Sequence, residues 1–123
     1  MNKENFGGNQ IALKNTSLDS TKVSMRRFDK YVEEQKIKQI KLIKIDVELY
    51  EFPVLKGFRN YFVNTSDRPI IICEIFPKYY PIHGATLEEF LEYMRRYGYK
   101  VFNLSNPQEE VKTWTDNVIF KVS

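Results

Sequence analysis

Hydrophobic positions change their period several times along the chain, and each change predicts an element. Nothing before Thr21 has a strong period, and Gly7-Gly8 between Asn5 and Asn9 is a turn signal, so residues 1–20 read as a loop with freedom to move and 21–123 as the folded part. Lys22 to Arg26 suits a short strand. Phe28, Tyr31 and Val32 then give a helical stripe with Asp29 near its start, and that helix should end by about Ile37. Ile40 to Val47 is Ile-rich and too short for a buried helix, which predicts a strand covered on both faces. Val54, Leu55, Phe58, Tyr61 and Phe62 return to helical spacing, with Pro53 tolerated in the first turn.

Asn64 to Arg68 reads as a turn, and Pro69 to Phe76 as a second central strand ending near Glu74. Strand, helix and strand of this length form a βαβ unit, whose strands are parallel, so Asp46 and Glu74 should share one edge of the sheet. Pro77 to Ala85 is a loop carrying the single histidine, His83. Thr86 and Glu89 have capping-box spacing, Leu87, Phe90, Leu91 and Met94 make an apolar stripe, and Gly98 ends that helix. Tyr99 to Leu104 and Asp116 to Val122 read as two final strands, joined by a polar loop with Asn106-Pro107 and Trp114 that is long enough for an antiparallel pair. The pattern as a whole predicts an α/β fold of mostly parallel strands with an antiparallel C-terminal strand.

Composition adds boundaries to this picture. The 123 residues fit one domain with a real core, and no repeat or linker divides them. A net charge of +3 spread over both signs lacks the one-faced basic excess of a nucleic-acid binder. Cys73 is the single cysteine, which excludes an intrachain disulfide and a CxxC zinc site and suits a reducing compartment. No apolar run approaches the ~18 residues of a membrane span, so the chain is expected to be soluble and cytoplasmic, without nucleic-acid or membrane partners.

Several segments, in order, resemble the FkbM-type methyltransferases. Lys44-Ile45-Asp46-Val47-Glu48, followed by Glu51 and by Val54-Leu55-Lys56-Gly57, is similar to the family's KIDVEGxE and VLKG signature. Arg27-Phe28-Asp29 resembles its threonine-leucine-aspartate element. Pro69 to Glu74 resembles its strand ending in glutamate, Tyr97-Gly98-Tyr99-Lys100-Val101-Phe102 its GY-x-V-F strand, and Trp114 with Asn117-Val118-Ile119-Phe120 its closing segment. The resemblance implies a Rossmann-like methyltransferase sheet of which this chain supplies the second half only, S-adenosylmethionine as cofactor, and O-methylation of a hydroxyl on a sugar or secondary metabolite. It places the family's glycine-rich cofactor loop upstream of Met1, so the cofactor-binding residues are unassigned. No G-x-G-x-x-G follows a strand in this chain, and Leu49 stands where the family has glycine.

Methyl transfer to a hydroxyl needs in-line alignment and a group that removes the proton. Asp46, then Glu74, are the first candidates for that catalytic contact. Glu48, His83, Trp114 and Asn117 are candidate substrate contacts. Each has a plainer reading: Glu48 and Glu51 as first-turn helix acids, His83 as a solvated loop residue, Trp114 as a lid on the core and Asn117 as a turn residue. Lys44 is expected to pair with one of the acids, and Cys73 to pack as an inert small hydrophobe. Asp46, Glu48 and Glu74 lack metal-ligand spacing, and no metal is assigned, although a metal-dependent hydrolase built on Asp46 and Glu74 is a lower-ranked rival. A non-catalytic module pairing through its sheet edge, with a second copy or with an upstream half of the domain, is the alternative.

Overall fold

The computed structural model describes residues 21–77, 84–112, 114 and 117–123. The expected loop over 1–20 and the loop residues Tyr79, Tyr80 and His83 lie outside them. The elements run α1 (Phe28–Glu34), β1 (Leu42–Ile45), α2 (Glu51–Lys56), α3 (Arg59–Asn64), β2 (Ile70–Glu74), α4 (Leu87–Arg96), β3 (Lys100–Asn103), β4 (Asn106–Glu110) and β5 (Asn117–Lys121). Residues 21–27 are irregular, so the strand expected at Lys22 to Arg26 does not form.

The strands make one five-stranded sheet in the order β1-β2-β5-β3-β4. The β1–β2 pair is parallel, as the βαβ reading requires, whereas β2–β5, β5–β3 and β3–β4 are antiparallel. The mostly parallel sheet is therefore corrected to a mixed sheet with a single parallel pair. β1, β2 and β3 still point the same way, and β5 enters between β2 and β3 from the opposite direction. The second correction is β4: the segment read as a loop pairs with β3, although all five of its residues are exposed and one is Pro107. A strand with no buried face carries no hydrophobic period, and its edge position accommodates proline.

Register divides the sheet into two unlike faces. Ile45, Cys73 and Val118 lie in one cross-strand row, and Ile71 and Phe120 in the next. These five join the main core with Leu55, Phe58, Phe62, Phe90 and Met94 from the helices. On the opposite face Leu42 and Ile70 pair with each other and remain 57% and 42% exposed. The expectation that β1 is covered on both faces is thus corrected, because helical side chains reach one face of it among the described residues.

The helix predicted across Val54 to Phe62 is two helices. Gly57 and Phe58 close with tight i to i−3 bonds onto Val54 and Leu55, at 2.9 and 3.0 Å. That break turns the Gly57 carbonyl outward to accept the Asp29 N–H at 3.1 Å. Phe28 then stacks on Phe58 with ring centres 3.6 Å apart and planes 6° from parallel. Asp29 is buried and accepts from the Arg27 guanidinium, from the Lys30 N–H at 2.8 Å and from the Asn60 N–H at 3.4 Å, fastening α1 to α3.

Two tyrosines and one arginine complete the frame. Tyr93 donates to the Leu55 carbonyl and Tyr99 to the Pro69 carbonyl, both at 2.9 Å, tying α4 to α2 and the start of β3 to the start of β2. Arg68 donates to the carbonyls of Phe62, Thr65, Asp67 and Tyr97 while lying over the Phe62 ring. The capping box is present as predicted: Thr86 Oγ1 accepts from the Glu89 N–H at 3.1 Å and Glu89 accepts from the Thr86 N–H at 2.7 Å.

Phe58→Ala should lower unfolding free energy in urea by about 3–5 kcal/mol, because it empties a fully enclosed stacking position. Leu42→Ala, on the open face, should change it by no more than about 0.5 kcal/mol.

Candidate active site

The site begins with the register of β1 on β2. Ile45 stands opposite Cys73, so the next residues, Asp46 and Glu74, emerge side by side at the carboxyl end of the parallel pair. Asn117 opens β5 as the partner of Glu74, and Asn103 closes β3 opposite Val118. The edge of the sheet therefore carries Asp46, Glu74, Asn117 and Asn103, on four different strands. Open α/β sheets bind ligands at the carboxyl ends of their strands.

Asp46 is exposed and accepts from Lys44 Nζ through Oδ2 at 3.1 Å, the pairing anticipated for that lysine. Such an exposed pair contributes no more than about 1 kcal/mol to stability, but it orients the carboxylate. Glu74 and Asn117 are half-buried neighbours. Trp114 is half-buried and packs against the core. Glu48 is half-buried in the turn after β1. His83 lies outside the described residues. Among the described residues no three His, Cys, Asp or Glu gather so as to hold a metal ion.

Beside Asp46 opens a cleft of about 780 Å³, within the size range of small-molecule sites. Its walls are mainly apolar, formed by Phe28, Ile43, Ile45, Val47, Val54 and Phe58, with Lys44, Asp46, Arg26, Arg27 and Tyr50 supplying polar groups. Arg26 is engaged by Glu34 and Arg27 by Asp29. Sequence period marked Phe28, Val54 and Phe58 as core residues, and gave no sign that their junction with Asp46 leaves a cleft.

The turn connecting β1 to α2 holds the residue that sequence reasoning undervalued. Glu48 and Leu49 have φ of 48° and 72°, two consecutive non-glycine residues in the left-handed region. Leu49 therefore occupies a conformation that favours glycine, as its place in the signature suggested. The turn wraps onto Glu51, whose Oε1 accepts the Leu49 N–H at 3.2 Å. Glu51 is only 2% exposed, and its Oε2 has no hydrogen-bond partner among the described residues. A first-turn acid of a surface helix would face water, so burial sets Glu51 apart from that plainer reading. Burial raises its carboxyl above the ordinary 4.5, against the backbone amides of Glu51, Leu49 and Val47, and the charge of Glu74 adds to the rise. Asn103 Oδ1, at the end of β3, is a second buried oxygen without a partner. One orphaned oxygen thus lies at the start of α2 and the other at the end of β3.

Cys73 is fully buried, and desolvation pushes its thiol far up, with the nearby Glu51 acting in the same direction. The thiol is therefore not a nucleophile, as expected.

The three glycines among the described residues form no cofactor cradle. An added Cβ would meet the Val54 carbonyl at Gly57, the Val122 side chain at Gly98 and nothing at Gly84. These are a helix junction, a helix end and an open loop. The described residues thus supply acids and an apolar cleft, and their glycines mark turns and helix ends.

A mixed α/β sheet with acids at its carboxyl edge beside an apolar cleft is the framework of a small-molecule site. The methyltransferase FkbM domain matches residues 3–101, and the chain belongs to that family. No curated protein and no solved structure matches the chain significantly. Among the described residues no helix is long and apolar enough to cross a membrane.

Two stability measurements follow from the turn. Leu49→Gly removes a left-handed strain of about 1–2 kcal/mol and loses a half-buried side chain, so a net gain of up to about 1 kcal/mol in urea unfolding is expected. For Glu51 the folded state holds the proton more tightly than the unfolded chain, so its contribution is complete below pH 4.5 and is lost as pH rises toward the folded value. Wild-type stability should accordingly fall relative to Glu51→Gln as pH is raised from that point, and then level off. Parallel pH profiles for the two proteins would contradict the assignment.

Proposed function

We propose that the chain acts in S-adenosylmethionine-dependent methylation of a hydroxyl group on a small molecule such as a sugar or secondary metabolite, with Asp46 as the acceptor-side carboxylate. The observation that carries this reading is the position of Asp46, at the carboxyl end of β1 and on the wall of the apolar cleft. Family membership supports methyl transfer as the reaction. The methyl donor would supply an electrophilic methyl group, its carbon–sulfur bond breaking to leave S-adenosylhomocysteine, and the chain's own residues act on the acceptor.

In this reading the cleft takes the apolar body of the acceptor and brings its hydroxyl to Asp46. Lys44 holds Oδ2, which leaves Oδ1 to accept the hydroxyl proton as the oxygen becomes methylated. Glu74, at the end of β2 and level with Asp46, supplies a second carboxylate on the same edge, with Asn117 beside it as a neutral hydrogen-bonding group. Glu48, His83 and Trp114 are the further acceptor contacts of this proposal.

One observation favours a second reading. Among the described residues β1 is one of the two edge strands of the sheet, and the adjoining face exposes Leu42 and Ile70. An open edge with apolar side chains beside it suits pairing with a second copy or with another part of a larger α/β domain. In that case the chain is an interaction module or one portion of an enzyme.

Transfer of labelled methyl from S-adenosylmethionine to a panel of hydroxylated acceptors distinguishes the two. Asp46→Ala should lower the rate by about 10²–10⁴-fold, the range of general-base catalysis, while S-adenosylhomocysteine binding stays within a few-fold of wild type. Equal rates for wild type and Asp46→Ala would remove Asp46 from the reaction. A folded chain that dimerises and transfers no methyl group would favour the second reading.

A further inference from the structure

We propose that Glu51 is a positioning residue of the sheet edge: its carboxyl, buried under the turn from Asp46 to Tyr50, holds Leu49 in the left-handed region and thereby fixes how Asp46 is presented. The inference rests on the reading of Asp46 as the acceptor-side carboxylate and adds a residue that the reading does not use.

Backbone geometry is the first support. Two adjacent non-glycine residues at φ of 48° and 72° persist only where their surroundings over-determine them. The turn contains one backbone closure, from the Tyr50 N–H to the Val47 carbonyl at 3.3 Å. Its other anchor is the Leu49 N–H on Glu51 Oε1 at 3.2 Å. The Val47 carbonyl closes the turn onto Tyr50, the residue before Glu51, and Val47 is bonded directly to Asp46. A movement at Glu51 is therefore passed through one peptide unit to the candidate base.

The carboxyl's own surroundings are the second support. Oε1 accepts a hydrogen bond, Oε2 has no partner among the described residues, and the side chain is almost wholly enclosed. That division suits a neutral acid, with Oε1 as the carbonyl oxygen and the proton on Oε2. The ionisable groups that bear on it are Glu74 and Cys73, both at the end of β2. Neither offers a compensating positive charge, so ionisation of Glu51 leaves a buried anion facing a second carboxylate, and the turn it holds is the part free to yield.

The test uses the full 123-residue chain, labelled for NMR, with the Glu51 and Asp46 carboxyl carbons and the Leu49 amide followed from about pH 4 to about pH 9. In wild type the Leu49 amide should shift with the titration of Glu51, and the Asp46 curve should show a second inflection at that pH. In Glu51→Gln, a neutral replacement of the same shape, the Leu49 amide should stay near its low-pH wild-type position and the second Asp46 inflection should vanish. Glu51→Ala should displace the Leu49 amide at every pH. A Leu49 amide that ignores the Glu51 titration, or an Asp46 curve identical in wild type and Glu51→Gln, overturns the proposal. Coupling of Glu51 to Asp46 in a chain that transfers no methyl group would sink the methyltransferase reading and leave the coupling standing. Asp46-dependent transfer without coupling would do the reverse.

Discussion

The parallel register that sets Ile45 against Cys73 is the constraint on which the rest of this structure depends. It brings Asp46 level with Glu74, and through the antiparallel pairing of β2 with β5 it brings Asn117 beside them. A slip of β1 by one residue would turn Ile43 and Ile45 out of the core and move Asp46 to the other face. The register is held from both sides. Ile71, Cys73, Val118 and Phe120 are buried almost completely on the helical face, and the Ile70 N–H donates to the Lys41 carbonyl just before β1 begins.

Residues that combine a strong period with burial were legible in the sequence. The β1–helix–β2 unit, the capped helix α4, the C-terminal strand and the edge position shared by Asp46 and Glu74 all follow from spacing alone. Three features were not. β4 has no buried residue and no apolar period, so no pattern announces it. The break at Gly57 is invisible to helical spacing, because Phe58, Tyr61 and Phe62 stay on the same face after it, yet it creates the carbonyl on which α1 docks. The exposed Leu42 and Ile70 read as core from composition, and only the distribution of helices over the sheet decides otherwise.

The site shows the same division. The strand-end position of Asp46, its pairing with Lys44, the buried Cys73 and the departure at Leu49 were readable from residue type and position. Glu51 was not, because an acid in the first turn of a helix has an ordinary electrostatic explanation, and sequence does not show which way it faces. Burial with one oxygen orphaned is a property of the folded turn. It also gives Leu49 a physical account: where glycine would adopt the left-handed conformation without strain, this chain holds a leucine there by a hydrogen bond to a buried acid.

As proposed, this member of the FkbM family acts on S-adenosylmethionine, with the edge residues serving the acceptor. Titration calorimetry of the whole chain with S-adenosylhomocysteine tests it most directly, alongside near-UV circular dichroism to verify packing. Saturable binding with one site per chain is the predicted result. Absence of binding by a well-packed chain would contradict the account and assign the edge residues to a module that works only within a larger assembly.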